Sequence, residues 1–272
     1  MRTTYTGERA DLMVALHAWR SAAAIQRYRE LYPARPLVVG LAGTDVYRFL
    51  SSDPQTTLRS LQLADVLVGL HDLVGDAIPA RFRAKLTIIH QSAPPLPRPP
   101  APPARYFHVG VIANLRGEKD PLRTALAVAD LPSHSRLRVS HVGAALDAAW
   151  AAQARDLMAR NPRYRWRGEV SGAAVRRLLG RLHVLVLSSV MEGGANVISE
   201  ALAAGVPVIA SHIAGSIGLL GADYPGTYPV EDTGALRALL LRAETDAAFL
   251  GQLRQACALR APLFTQARER AA

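Results

Sequence analysis

The chain has 272 residues, half of them hydrophobic, which is enough to core one large domain or two small ones. Its net charge is +10, carried by dispersed arginines with Lys85 and Lys119 as the two lysines; without a basic run interleaved with aromatics, this pattern argues against a nucleic-acid partner. No apolar run reaches the ~20 residues of a membrane span, the first eleven residues lack the apolar core of a signal peptide, and the lone Cys257 forms no internal disulfide, so the sequence reads as a cytoplasmic protein.

In chain order, short apolar runs at residues 12–17, 36–41, 66–70 and 86–90 read as buried strands. Between them, 19–31 and 54–63 have helical spacing, and a short helical segment follows His71. Residues 93–104 are more than half proline. Such a stretch forms neither a helix nor a central strand, and it reads as a stiff linker. The alternation then resumes. Strands are predicted at 106–112, 137–142, 164–166, 183–187 and 206–210. Helices are predicted at 121–129, 146–160, 175–182, 196–204, 234–242 and 246–259, with Ser171 as a cap for the third.

Apolar strands separated by helices make parallel sheets covered on both faces. The expected fold class is therefore α/β, with two Rossmann-like lobes and a cleft between them. The N-terminal lobe covers residues 1–92, the linker 93–104 and the C-terminal lobe 105–272. Ligands of open α/β sheets sit at the C-terminal ends of strands, so the loops there carry the candidate site.

The strand at 183–187 runs into a loop containing Gly193 and Gly194, and a helix starts near Asn196. Glycines there let a ligand approach the backbone closely. The N–H groups of Gly193, Gly194, Ala195, Asn196 and Val197, with the helix dipole behind them, form an anion site that suits a pyrophosphate. Glu192 and Glu200 flank it, eight residues apart. A helical path of that length spans about 12 Å, roughly the reach from a ribose across a pyrophosphate to a hexose. Carboxylates beside an anion are repelled by it, but they make sense as acceptors for sugar hydroxyls, Glu200 for a ribose and Glu192 for a hexose. Taken singly, either glutamate reads as an ordinary solvated side chain.

A second loop follows the strand at 106–112 and carries Asn114, Arg116 and Lys119 ahead of Pro121. Arg116 offers a planar fork and Lys119 a point charge. Together they would stabilise a departing nucleotide diphosphate without a metal; the alternative is solvated loop charge.

These segments resemble the family 4 glycosyltransferases of the GT-B fold. The resemblance rests on the Glu192 and Glu200 spacing, on Pro207-Val208-Ile209-Ala210-Ser211, on the strand and Glu-Lys pattern from Gly110 to Lys119, and on Arg167-Gly168-Glu169-Val170. It implies that Lys119 and the backbone of residues 193–197 hold the diphosphate, Glu200 the ribose, Glu192 the donor hexose, and the loop of Gly168, Glu169 and Val170 the base. The family usually has arginine where Asn114 stands, so Arg116 is expected to supply that charge.

Four further runs are similar to the selenosugar synthases of selenoneine biosynthesis. They are Asp11 through Ser21, Gly43-Thr44-Asp45-Val46-Tyr47-Arg48, His90-Gln91-Ser92, and Ile213 through Leu220. This resemblance implies a UDP-sugar donor, usually UDP-N-acetylglucosamine, and selenophosphate as an anionic acceptor. The N-terminal lobe would then receive the acceptor through His17, Arg20, Gly43, Thr44 and Asp45, although His17 also suits a core position and Asp45 a helix cap. The UDP-sugar is a substrate, and no cofactor is expected. His71, His90, His141 and His183 show no metal-ligand spacing, and no metal is expected.

The family's N-terminal lobe normally opens with a strand, a Gly-rich loop and a helix, whereas this sequence begins at about the third such element. The lobe is therefore expected to be truncated, with an open sheet edge, and Met1 to be a misplaced start. Two alternatives accompany the transferase reading: a family 4 enzyme with another acceptor, and a non-catalytic nucleotide-sugar-binding protein.

Overall fold

The computed structural model describes residues 5–96 and 101–272. Residues 1–4, which include the start, and 97–100, in the middle of the predicted linker, lie outside the described residues.

Two parallel sheets form the framework. The first contains β1 (Met13–Leu16), β2 (Leu37–Gly40), β3 (Val66–Gly69) and β4 (Leu86–Ile88), in that spatial order. The second contains β5 (Phe107–Ile112), β6 (Leu137–Val142), β7 (Tyr164–Trp166), β8 (Val184–Leu187), β9 (Val208–Ser211) and β10 (Thr227–Tyr228). Its spatial order is β10-β9-β8-β5-β6-β7. Every pairing is parallel. The central strands β8 and β9 are buried at all four positions. That is why they read as unbroken apolar runs: helices cover both faces.

Each sheet has its own core. Ile25, Tyr28, Leu37, Val39, Leu67 and Phe82 belong to one, and Val109, Leu137, Tyr164, Leu185, Ile209 and Leu236 to the other. The predicted GT-B type α/β arrangement is the one observed. The chain also returns across the junction: Ala93 N–H donates to Phe264 O at 3.0 Å, and Ser92 Oγ hydrogen-bonds Glu269. Arg260 ties to Asp72 at 2.7 Å.

Capping residues set several helix starts. Helix Pro54–Leu63 follows Asp53, which accepts from Thr56 N. Helix Ala148–Arg160 follows Asp147, which accepts from Trp150 N at 3.0 Å. Ser171 caps as expected, accepting from Ala174 N at 3.3 Å, but the helix is Gly172–Leu179 and starts earlier than its apolar spacing indicates. Helix Ala22–Leu31 starts later than predicted because Trp19 and Arg20 belong to a turn. Helices Ala214–Leu220 and Gln266–Ala271 and the two-residue strand β10 have no counterpart in the predictions, and neither do the short helical turns Asp45–Phe49, Leu50–Ser52, Ala80–Lys85, Gly117–Lys119 and Ala261–Phe264. Helix Ala214–Leu220 contains two glycines, which obscure helical spacing.

β1 is at one end of its sheet; Val14 and Leu16 on it are 58% and 51% exposed, and Leu12 just before it is 50% exposed.

Candidate active site

The loop after β8 faces the loop after β5, and serines organise both. Ser188 Oγ lies 3.1 and 2.7 Å from Lys119 O and Asp120 O, pinning the peptide that carries Lys119. Ser189 Oγ donates to Glu192 Oε1 at 2.6 Å. Lys119 Nζ pairs with the same carboxylate oxygen. Both charged side chains are largely buried, so each is the other's main compensation. The two residues predicted to act on the donor are thus brought together and pair with each other.

Helix Asn196–Ala203 starts beyond the glycines without a side-chain cap. Its first N–H groups are therefore available to an anion. Glu200 lies one turn in and accepts from Asn196 Nδ2 at 3.0 Å. It is half-buried, and desolvation pushes its carboxyl above the usual range against the pull of Arg176. Asn114 uses its Oδ1 to hold Ala144 N–H at 2.9 Å, which leaves its amide nitrogen as the group it can offer a ligand. Arg116 is exposed on the same loop. Gly168 follows β7 with φ 69°, and its carbonyl receives Gly143 N–H at 2.8 Å. Glu169 beside it is exposed and Val170 half-buried.

The N-terminal lobe meets this loop at backbone level. A β-carbon on Gly43 would lie 2.4 Å from Gly193 N, and one on Gly193 would lie 2.3 Å from Gly43 N. Neither side of the contact can carry a side chain without displacement. Gly43 also has φ 102°, a conformation that suits glycine. Thr44 and Asp45 follow directly. Asp45 is fully buried, and its carboxylate accepts from Ala18 N at 2.9 Å and from Ala42 N and Val46 N at 3.1 Å. It ties the loop after β1 to the loop after β2.

His17 has the left-handed φ of 76° and is buried. Its Nδ1 accepts from Arg20 N at 3.1 Å, so in the neutral ring Nε2 donates to Thr44 Oγ1 at 2.8 Å. Burial holds its pKa below the ordinary value, against the pull of Asp45. The Thr44 hydroxyl keeps its own proton for another acceptor. His17, Thr44 and Asp45 thus form one cluster, whereas the Arg20 side chain is exposed beside it.

Tyr47 and His71 were not among the predicted site residues. Tyr47 lines a cavity of about 250 Å³ together with Met191, Glu192, Ile213 and Gly215. His71 is fully buried and lies 3.0 Å from the Tyr47 hydroxyl. Burial pushes its pKa down to about 4. Tyr47 lies in a run already quoted for its resemblance, but its contact with the second lobe exists only once the chain is folded. A second cavity, of about 310 Å³, lies by His90, Leu263 and Arg268, and no candidate residue lines it.

Residues 106–246 match the family described as Glycosyl transferases group 1. No curated protein matches the sequence. Among solved structures, the chain is similar to HepE from Anabaena in complex with UDP, with a TM-score of 0.78, 17% identity, and coverage of 96% of this chain and 76% of that one. HepE in complex with UDP-glucose gives a TM-score of 0.74 at 17% identity, with the same coverage. Sucrose-phosphate synthase from Thermosynechococcus elongatus gives a TM-score of 0.76 at 18% identity, covering 96% of this chain and 71% of that one.

Proposed function

The chain belongs to the group 1 glycosyl transferases, and from that premise we propose that it moves a hexose from a UDP-sugar to an anionic acceptor. One observation carries the reading: Lys119 and Glu192 meet beside the uncapped start of helix Asn196–Ala203. A cation, free N–H groups and a carboxylate are what a diphosphate joined to a sugar requires. The UDP and UDP-glucose complexes of HepE, a protein of the same fold, support the choice of nucleotide.

In this reading the diphosphate takes Lys119 from Glu192, and Glu192 turns to the hexose hydroxyls. Gly193, Gly194, Ala195, Asn196 and Val197 give N–H groups to the phosphates. Glu200 accepts from the ribose, and Gly168, Glu169 and Val170 border the base. The acceptor's nucleophilic atom bonds to the anomeric carbon as the bond from that carbon to the phosphate oxygen breaks. The electron pair leaves on UDP, where Lys119, assisted by Arg116, offsets the charge that develops. The reading asks no metal or cofactor to do so. His17, Arg20, Gly43, Thr44 and Asp45 form the acceptor side, with the Thr44 hydroxyl as donor.

The runs similar to selenosugar synthases narrow the proposal to UDP-N-acetylglucosamine and selenophosphate, giving a selenosugar. A mass-spectrometric assay of the chain with these two compounds tests it. UDP and a selenium-bearing sugar are the expected products, and Glu192→Gln should abolish both. UDP release that is independent of selenophosphate would reject that acceptor. No UDP release with any acceptor, combined with intact UDP binding, would favour a non-catalytic nucleotide-sugar-binding protein.

A further inference from the structure

At the edge of the same cleft, Arg48 of the first lobe meets Glu118 of the second, Nη1 to Oε1 at 2.9 Å. Arg48 follows Tyr47, which lines the 250 Å³ cavity. The Glu118 carbonyl accepts from Val190 N at 2.9 Å, in the loop that carries Glu192, and Val190 lines the cavity too. The ion pair thus joins the two lobes next to residues that line the cavity.

The pairing has the form of an occupied anion site. Glu118 presents one carboxylate to a guanidinium that is 44% exposed and has five N–H donors in a planar fork. An ion pair this open is weak and exchangeable, whereas a phosphate-type oxyanion binds the fork through two oxygens. The surroundings are cationic as well: Arg116 and Arg48 both lower the Glu118 carboxyl, after the contribution of its own backbone N–H. Lys119 is the next residue, already held by Glu192. Arg48 and Lys119 are thus each paired with a carboxylate.

We propose that Arg48 is the recognition residue for a phosphate-type oxyanion on the acceptor, which would displace the Glu118 carboxylate from its guanidinium. The inference rests on the transfer reading and names the acceptor chemistry of that site. A phosphate group of the donor would satisfy the same fork, so the test separates the two sources.

Inorganic phosphate is titrated calorimetrically into the UDP-saturated chain, into Arg48→Gln and into Glu118→Gln, and UDP is titrated into each. Phosphate should bind the unsubstituted chain, bind Arg48→Gln about tenfold more weakly, and bind Glu118→Gln several-fold more tightly. UDP affinity should stay within about twofold in Arg48→Gln. Phosphate binding unchanged by Arg48→Gln overturns the proposal, as does its absence from Glu118→Gln. A matching loss of UDP affinity in Arg48→Gln would instead make Arg48 a donor contact. If UDP binds no form, the transfer reading fails, and the phosphate series run without UDP still decides whether Arg48 holds an oxyanion.

Discussion

Lys119 and Glu192 neutralise each other, and a ligand diphosphate has to exchange for one of them. Lys119→Gln removes a charge-assisted contact of about 1.5–3 kcal/mol and should weaken UDP binding roughly tenfold or more. Its thermal midpoint should fall as well, because Glu192 keeps the Ser189 hydroxyl but loses the buried cation that offsets its charge. Calorimetry and thermal melts on the same sample check both halves. Glu200 adds a pH dependence. Its carboxyl must be ionised to accept fully from a ribose, and desolvation has raised its pKa. UDP affinity should therefore fall on acidification, starting at higher pH than an ordinary carboxylate would give, and Glu200→Gln should flatten the profile. An unchanged slope in that variant would remove Glu200 from the ribose site.

The elements explain what the sequence could and could not show. β8 and β9 were legible because they are buried on both faces and hence apolar throughout. The loop between β8 and helix Asn196–Ala203 was legible because the glycines and glutamates lie close together in the chain. Tyr47 and Arg48 were not, because their importance comes from residues of the second lobe, far away in sequence, and His71 was not because its partner Tyr47 lies on another element of its own lobe. The glycines themselves were read as room for a ligand. The structure adds that Gly43 and Gly193 make room for each other. Gly193→Ala should therefore cost about 1–3 kcal/mol, as overpacking does, and lower the denaturation midpoint as well as UDP affinity.

β6 makes a separate prediction. His141 on it is fully buried, donates from Nε2 to Ala113 O and sits 2.8 Å from the Tyr164 hydroxyl. Burial pushes its pKa down to about 4, while an unfolded histidine titrates near 6.5. Between those values the unfolded chain holds the extra proton, so stability falls as pH drops. The contribution is fully present above about pH 6.5 and amounts to at most about 3 kcal/mol. Urea midpoints measured from pH 7 to 4.5 should decline, and His141→Gln should decline less steeply. A parallel decline in both would assign the effect elsewhere.

For the whole molecule, the two lobes meet through Gly43 against Gly193, Arg48 with Glu118, and Arg260 with Asp72. The proposed acceptor residues of the first lobe thus face the proposed donor residues of the second across a seam of direct contacts.

The most direct test of the central claim is calorimetric titration of UDP into the unsubstituted chain and into Lys119→Gln. The account predicts saturable one-to-one binding that weakens roughly tenfold or more in the variant. Absence of UDP binding, or equal binding by both, would contradict the assignment of the donor site to the junction of Lys119, Glu192 and helix Asn196–Ala203.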